Sequence, residues 1–592
     1  MIGLNKLTAL VEWVQNRASR KQFMLFSSIL VGFSAGLAAI VLKTFVHYIF
    51  LAATNTPAAS LNYSYLFLPI IGIFLTILAI KIVLKGSLER GLSPILYAIA
   101  KKSSNLPKKQ MYAQILTSSL TVGFGGSAGL EAPIVITGAA FGSNYGQTYK
   151  LNYQDRTLLL ACGVSAGIAA AFNAPIAGVL FALEVLLLDV SITAFTPLII
   201  AAATGALLSK IILKDDILLS FHLQQPFDYY NVPYYVLLGL AAGLVSVYHS
   251  RTFVKIEKLF GKSRESVYKN VLIGGAALAV LVFFFPSLFG EGYASIRILS
   301  LQQPENLLAN SFLNTYKNKE WLVLGFVGIL VFMKAIAAGL TVGSGGNGGN
   351  FAPSLFVGAY LGFFLARFVN MLHLTKLPES NFTIVGMAGI LSGLYQAPLT
   401  AIFLIAEITG GYNLMIPLML VASISYIVSK YFEPYSMDSR QLANSGQIFP
   451  NNKDKNILNT ILAAKLVESD FQTVPVTGSL RQLVNAISKS KRNIFPVIDE
   501  NRKLLGIILL DNVRDIIFKT DLYDTVSIET LMINPPDTVF YQENMETVMR
   551  KFDETNAWNL PVINENAQYV GFISKSTVFT SYREQLISTV IE

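Results

Sequence analysis

Gly125-Gly-Ser-Ala-Gly-Leu-Glu-Ala-Pro133 and Gly343-Ser-Gly-Gly-Asn-Gly-Gly-Asn-Phe-Ala-Pro353 decide the fold. Each is a glycine-rich turn that runs into an Ala-Pro step between apolar stretches. A second pair follows: Phe172-Asn-Ala-Pro-Ile-Ala-Gly-Val-Leu-Phe-Ala-Leu-Glu184 and Tyr395-Gln-Ala-Pro-Leu-Thr-Ala-Ile-Phe-Leu-Ile-Ala-Glu407. The prolines of the first pair are 220 residues apart, those of the second 223. Two independent pairs at nearly one spacing mark a duplicated unit. Repeated halves with interrupted apolar helices are a transporter pattern, and binding is expected where the halves meet.

Composition sets the context. Of 592 residues, 53% are hydrophobic and 14% charged, and the mean hydropathy is +0.52. Soluble chains are about a quarter charged. The tail 441–592 holds 33 of the 81 charged side chains, so the first 440 residues read as membrane and the tail as a soluble domain. The basic excess lies in the membrane part, as expected for cytoplasmic loops rather than nucleic-acid binding. Residues 1–22, with Arg17, Arg20 and Lys21, read as a cytoplasmic segment before a first span at Phe23–Leu51. That run is too long for a signal peptide. Several later apolar runs are too short to cross ~30 Å of hydrocarbon singly, and broken helices at that depth line protein-buried or wet cavities. The single Cys162 excludes an intrachain disulfide, and four scattered histidines point away from a metal site.

A glycine-rich turn entering a helix leaves backbone N–H groups unpaired, and the helix dipole adds roughly half a positive charge there. Such a site holds an anion without a full cation that would bind it too tightly. A nucleotide phosphate loop would need a lysine after the glycines, and none follows either turn. Glu131 lies inside the first turn, where a carboxylate can occupy the anion's own place and leave on protonation. Glu184 and Glu407 end matched helices, so a packing or hydrogen-bonding role is expected for both.

These segments resemble the CLC chloride channels and chloride/proton antiporters over about residues 20–440. Gly129-Leu-Glu-Ala-Pro133 is similar to the family's Gly-Arg-Glu-Gly-Pro gating motif, with Leu130 and Ala132 departing from it. Gly349-Asn-Phe-Ala-Pro353 is similar to its Gly-x-Phe-x-Pro motif. The resemblance implies an all-α membrane fold, an inverted repeat of broken helices with halves at about 23–213 and 234–440. It implies Glu131 as gate and anion contacts at Ser93, Gly129, Leu130, Asn350, Phe351, Ala352 and Tyr435. Chloride is then the bound ion, with no other cofactor. Arg90-Gly-Leu-Ser-Pro94 departs from the family's Gly-Ser-Gly-x-Pro, because its anion-binding serine aligns with Gly91 and leaves Ser93 two positions later. Proton-coupled members carry a second glutamate just after the position of Glu184; here Val185 stands there, which favours a passive channel over an antiporter.

Asn493-Ile-Phe-Pro-Val-Ile-Asp-Glu-Asn-Arg-Lys-Leu-Leu-Gly-Ile-Ile508 recurs as Trp558-Asn-Leu-Pro-Val-Ile-Asn-Glu-Asn-Ala-Gln-Tyr-Val-Gly-Phe-Ile573, with prolines 65 residues apart. Each copy reads as strand, Asx-type turn, strand, helix. The tail resembles an α/β tandem pair of CBS domains, 461–525 and 526–592, after a linker at 441–460. Adenine nucleotides are held in such pairs through Gly-x-x-Ser/Thr-x-x-Asp. Neither Gly506-Ile-Ile-Leu-Leu-Asp-Asn512 nor Gly571-Phe-Ile-Ser-Lys-Ser-Thr577 places Asp last, and Asp511 is one residue early. A structural module that stabilises a homodimer is expected instead. A CBS-containing magnesium transporter is the alternative, but it would place its CBS domains first. No catalytic cluster suggests an enzyme.

Overall fold

The computed structural model describes residues 11–54, 66–86, 88–186, 192–213, 226–261, 267–308, 311, 313–445, 458 and 461–589. Most of the 441–460 linker and the first ten residues lie outside them. The chain forms two compact units, one reaching Pro450 and one covering Asn451–Thr589.

Eight helices make the first half of the membrane unit: α1 Arg20–Thr54, α2 Leu68–Ile82, α3 Ser93–Lys101, α4 Gln110–Gly123, α5 Glu131–Thr148, α6 Tyr153–Phe172, α7 Pro175–Glu184 and α8 Ile192–Leu213. Eight more repeat their order: α9 Val232–Gly261, α10 Val267–Phe284, α11 Tyr293–Ser300, α12 Glu320–Gly343, α13 Phe351–Met371, α14 Glu379–Tyr395, α15 Pro398–Ile408 and α16 Met415–Phe432. Among the described residues, eight helices are long and apolar enough to cross a membrane. The short ones are α3, α7, α11 and α15, of 8 to 11 residues. At 1.5 Å per residue they reach only about half way across.

Local chemistry explains the breaks. Asn173 and Gln396 end α6 and α14 in left-handed conformation (φ +53° and +56°), and proline then opens α7 and α15. A left-handed C-cap followed by proline stops one helix and starts the next within three residues. Packing repeats as well. A Cβ on Gly138 would fall 2.2 Å from the Gly163 carbonyl oxygen, where α5 crosses α6. In the second half a Cβ on Gly358 would fall 2.4 Å from the Gly386 oxygen, where α13 crosses α14. Only glycine allows backbones that close, and small-residue contacts drive helix association in lipid.

Two reciprocal contacts join the halves. The Gly129 N–H donates to the Gly349 carbonyl and the Gly349 N–H to the Gly129 carbonyl, both at 2.8 Å. Glu407 accepts from the amides of Ile176 (3.0 Å) and Ala177 (2.8 Å) at the start of α7. Glu184 accepts from Leu399 (3.1 Å) and Thr400 (2.7 Å) at the start of α15. Reciprocity of this kind defines a local two-fold axis. Both glutamates therefore cap the partner half's helix, the hydrogen-bonding role expected of them.

In the soluble unit, β1 Val474–Pro475, β2 Ile494–Ile498 and β3 Leu504–Leu509 form one three-stranded sheet; β4 Val539–Phe540, β5 Asn559–Ile563 and β6 Tyr569–Ser574 form the other. Both sheets pair parallel, then antiparallel. The Asx turns are present: Asp499 Oδ1 accepts from Asn501 N and Lys503 N, and Asn564 Oδ1 from Asn566 N and Gln568 N. The copies differ in their closing helix. The second runs Lys575–Thr589, with Ser574 Oγ capping Thr577 N at 3.1 Å. In the first copy the expected helix is a single turn, Leu510–Val513, entered from Leu509 without a side-chain cap.

Candidate functional site: a buried carboxylate at two helix starts

The two glycine-rich turns meet back to back, so α5 and α13 start side by side. Glu131 opens α5 and is 3% exposed. Its Oε2 accepts from the Ala352 N–H at 3.3 Å, in the first turn of α13, and its Oε1 accepts from the Tyr293 hydroxyl. A carboxylate thus occupies a backbone amide in the first turn of α13. Gly129 makes this possible, since a Cβ there would lie 2.3 Å from Glu131 Oε2 and 2.9 Å from Ala352 N. Its own N–H is spent on Gly349, so Gly129 contributes close approach and not the anion contact expected of it.

The other expected contacts take varied places. Leu130 is buried and precedes α5. Asn350 precedes α13, its side chain engaged with His249 Nε2 (3.4 Å) and Met437 Sδ (3.5 Å). The Phe351 ring packs against Phe172, Phe181 and Tyr395, with centroids 5.5, 6.1 and 5.5 Å away. Tyr395 is therefore the tyrosine placed beside Phe351, whereas Tyr435 is half-buried on the segment after α16. Ser93 opens α3, and its hydroxyl donates to the Asp438 carbonyl at 2.6 Å. Val185 follows α7 with its side chain 8% exposed.

Supporting polar residues hold the turns. Asn347 donates to Gln114 Oε1 (2.8 Å) and Thr117 Oγ1 (2.7 Å), and Thr341 Oγ1 accepts from Ser127 N (3.0 Å). Lys334, wholly buried on α12, donates to Ser127 Oγ at 2.9 Å and to the Gly290 carbonyl at 3.0 Å, with Phe356 under its ammonium. Lys43 on α1 donates to the Ala171 carbonyl at the end of α6. Sequence reasoning missed Lys43, Lys334, Tyr293 and Asp438. The two lysines had a signal: each interrupts a long apolar run, where an ionisable residue is a functional candidate by default.

Two helix starts that meet at a buried carboxylate, in a duplicated multi-pass frame of broken helices, define a membrane transport protein. The voltage-gated chloride channel family describes residues 72–430, and CBS domains describe 463–519 and 528–584. The chain belongs to the voltage-gated chloride channel family, whose members are transport proteins and not enzymes, and it is an integral multi-pass protein. It is 28% identical over 388 residues to a putative chloride channel protein ClcB-like of Ralstonia nicotianae, covering 64% of this chain and 86% of that one. It is 26% identical over 462 residues to chloride channel protein CLC-e of Arabidopsis thaliana, covering 68% and 62%. In fold it is similar to a slow cyanobacterial Cl⁻/H⁺ antiporter (TM-score 0.59, 21% identity, 71% of this chain and 97% of that one). It is also similar to a eukaryotic CLC transporter (TM-score 0.60, 17% identity, 94% and 97%). Family membership sets aside the magnesium-transporter alternative.

Proposed function

We propose that the protein is a passive chloride channel gated by Glu131. The observation that carries this is the Glu131 carboxylate on the Ala352 amide, where it blocks an anion until protonation or displacement releases it. Passive conduction is supported by Val185 and by Glu184, whose two oxygens are taken up by α15 amides and the Thr400 hydroxyl. Chloride flux and proton movement measured together in liposomes test the proposal. The antiporter reading has one observation in its favour: Asp438 has an enclosed Oδ2 without a partner.

Chloride is the only bound group we infer. In the second CBS copy the hydroxyls of Ser574 and Thr577 both donate to Glu468 Oε1, at 3.0 and 2.7 Å, so the place of a ribose partner is already engaged. Calorimetry with ATP on the full-length protein should show no saturable binding at millimolar nucleotide; one-site binding would reverse this. The N-terminus and CBS pair are proposed to be cytoplasmic, following the basic cluster before α1. The functional unit is proposed to be a homodimer with one path per subunit. Mass in nanodiscs should correspond to two chains, and an active monomer would refute it.

A further inference from the structure

Glu291 lies in the short link between α10 and α11, flanked by Gly290 and Gly292, both at positive φ (+67° and +98°). This link is clamped to the first glycine-rich turn. The Gly290 N–H donates to the Gly125 carbonyl at 3.0 Å, and the Gly290 carbonyl accepts from Lys334. Gly292 cannot carry a side chain, because a Cβ would fall 2.6 Å from the Phe356 ring. Clamping places Glu291 and Leu130 on the wall of one cavity, and the Glu291 Oε1 is enclosed and has no partner. The charges that face it come from Glu131, from Lys43 on α1 and from Lys334 on α12. His47 and Tyr293 line the same cavity of about 470 Å³, at the end of α1 remote from its basic start.

Two carboxylates thus stand close to two adjoining helix starts. Glu131 sits on the Ala352 amide of α13, and Glu291 lines one cavity with Leu130, the residue before α5. Tyr293, two residues beyond Glu291, donates to Glu131 and links the two sites. We propose that Glu291 is a second gating carboxylate in series with Glu131, holding the Leu130 amide until a proton or a permeating anion displaces it. This rests on the reading of Glu131 as a gate. An amide that holds an ionised carboxylate is closed to chloride. An enclosed oxygen without a partner is costly, so this occupancy is weaker than that of Glu131. Lys43, facing the same cavity, offsets the two negative charges and draws the anion in.

The test is chloride efflux from liposomes between pH 5 and 8, with full-length wild type, E131Q, E291Q and the double variant. E131Q should keep a residual acid activation of about threefold between pH 8 and 6, smaller than the tenfold per unit of a fully controlling group. The double variant should lose it, and E291Q alone should raise flux at pH 8. A residual unchanged in the double variant overturns the proposal, as does a flat E131Q profile with E291Q equal to wild type. E131Q with wild-type flux and pH profile would instead sink the Glu131 gate, a separable result. If E291Q does not fold, Glu291→Asp, which draws the carboxylate back by one methylene, must also raise flux; unchanged flux overturns the proposal.

Discussion

Replacing Glu131 with glutamine should raise chloride flux at pH 7.5 by about tenfold. Charge-assisted hydrogen bonds are roughly twice as strong as neutral ones, and about 1.4 kcal/mol of lost hold is a factor of ten in occupancy. The glutamine keeps the shape and loses the charge that, in the proposed gate, competes with chloride for the Ala352 amide. The pH dependence has a fixed sign. Protonation neutralises the gate, so wild-type flux rises as pH falls, and the variant loses the Glu131 share of that rise. Liposome efflux with a chloride electrode is the measurement. Unchanged flux and pH profile in the variant would remove Glu131 from the gate.

Wild-type protein should move no protons uphill when chloride runs down its gradient at clamped voltage. Proton coupling needs a carboxylate reachable from the inner face that can pass protons to Glu131. Val185 cannot accept one, and the neighbouring Glu184 is fastened to the start of α15 by two amides and the Thr400 hydroxyl. Releasing it would leave those donors unpaired, at about 1–3 kcal/mol each. Proton uptake followed by a pH electrode beside the chloride trace decides the matter. Stoichiometric uptake would make the protein an antiporter and would direct attention to Asp438. In that event Asp438→Asn should abolish uptake while chloride still moves.

The duplication, the membrane class and the gate candidate were legible in the chain because each rests on local chemistry. Glycines before an Ala-Pro step specify a turn and a helix start wherever they occur. Proline after a left-handed cap fixes the joints at Asn173 and Gln396. The single turn Leu510–Val513 was not foreseen, since the match between the two copies ends at Ile508 and Ile573 and says nothing of the length of the helix beyond. The partners of Glu131 were hidden for a different reason. Tyr293 lies 162 residues from it in sequence and Ala352 lies 221 away. No periodicity links such positions; only the two-fold meeting of the halves does. Similarly, Gly129 reads as an anion ligand by motif, yet the tertiary pairing with Gly349 consumes its N–H and leaves closeness as its role. Sequence determined which segments turn and which enter the membrane, because those choices depend on neighbours in the chain. The tertiary structure alone decided which amide each buried carboxylate holds, because in a low-dielectric interior every donor must find its partner across the fold.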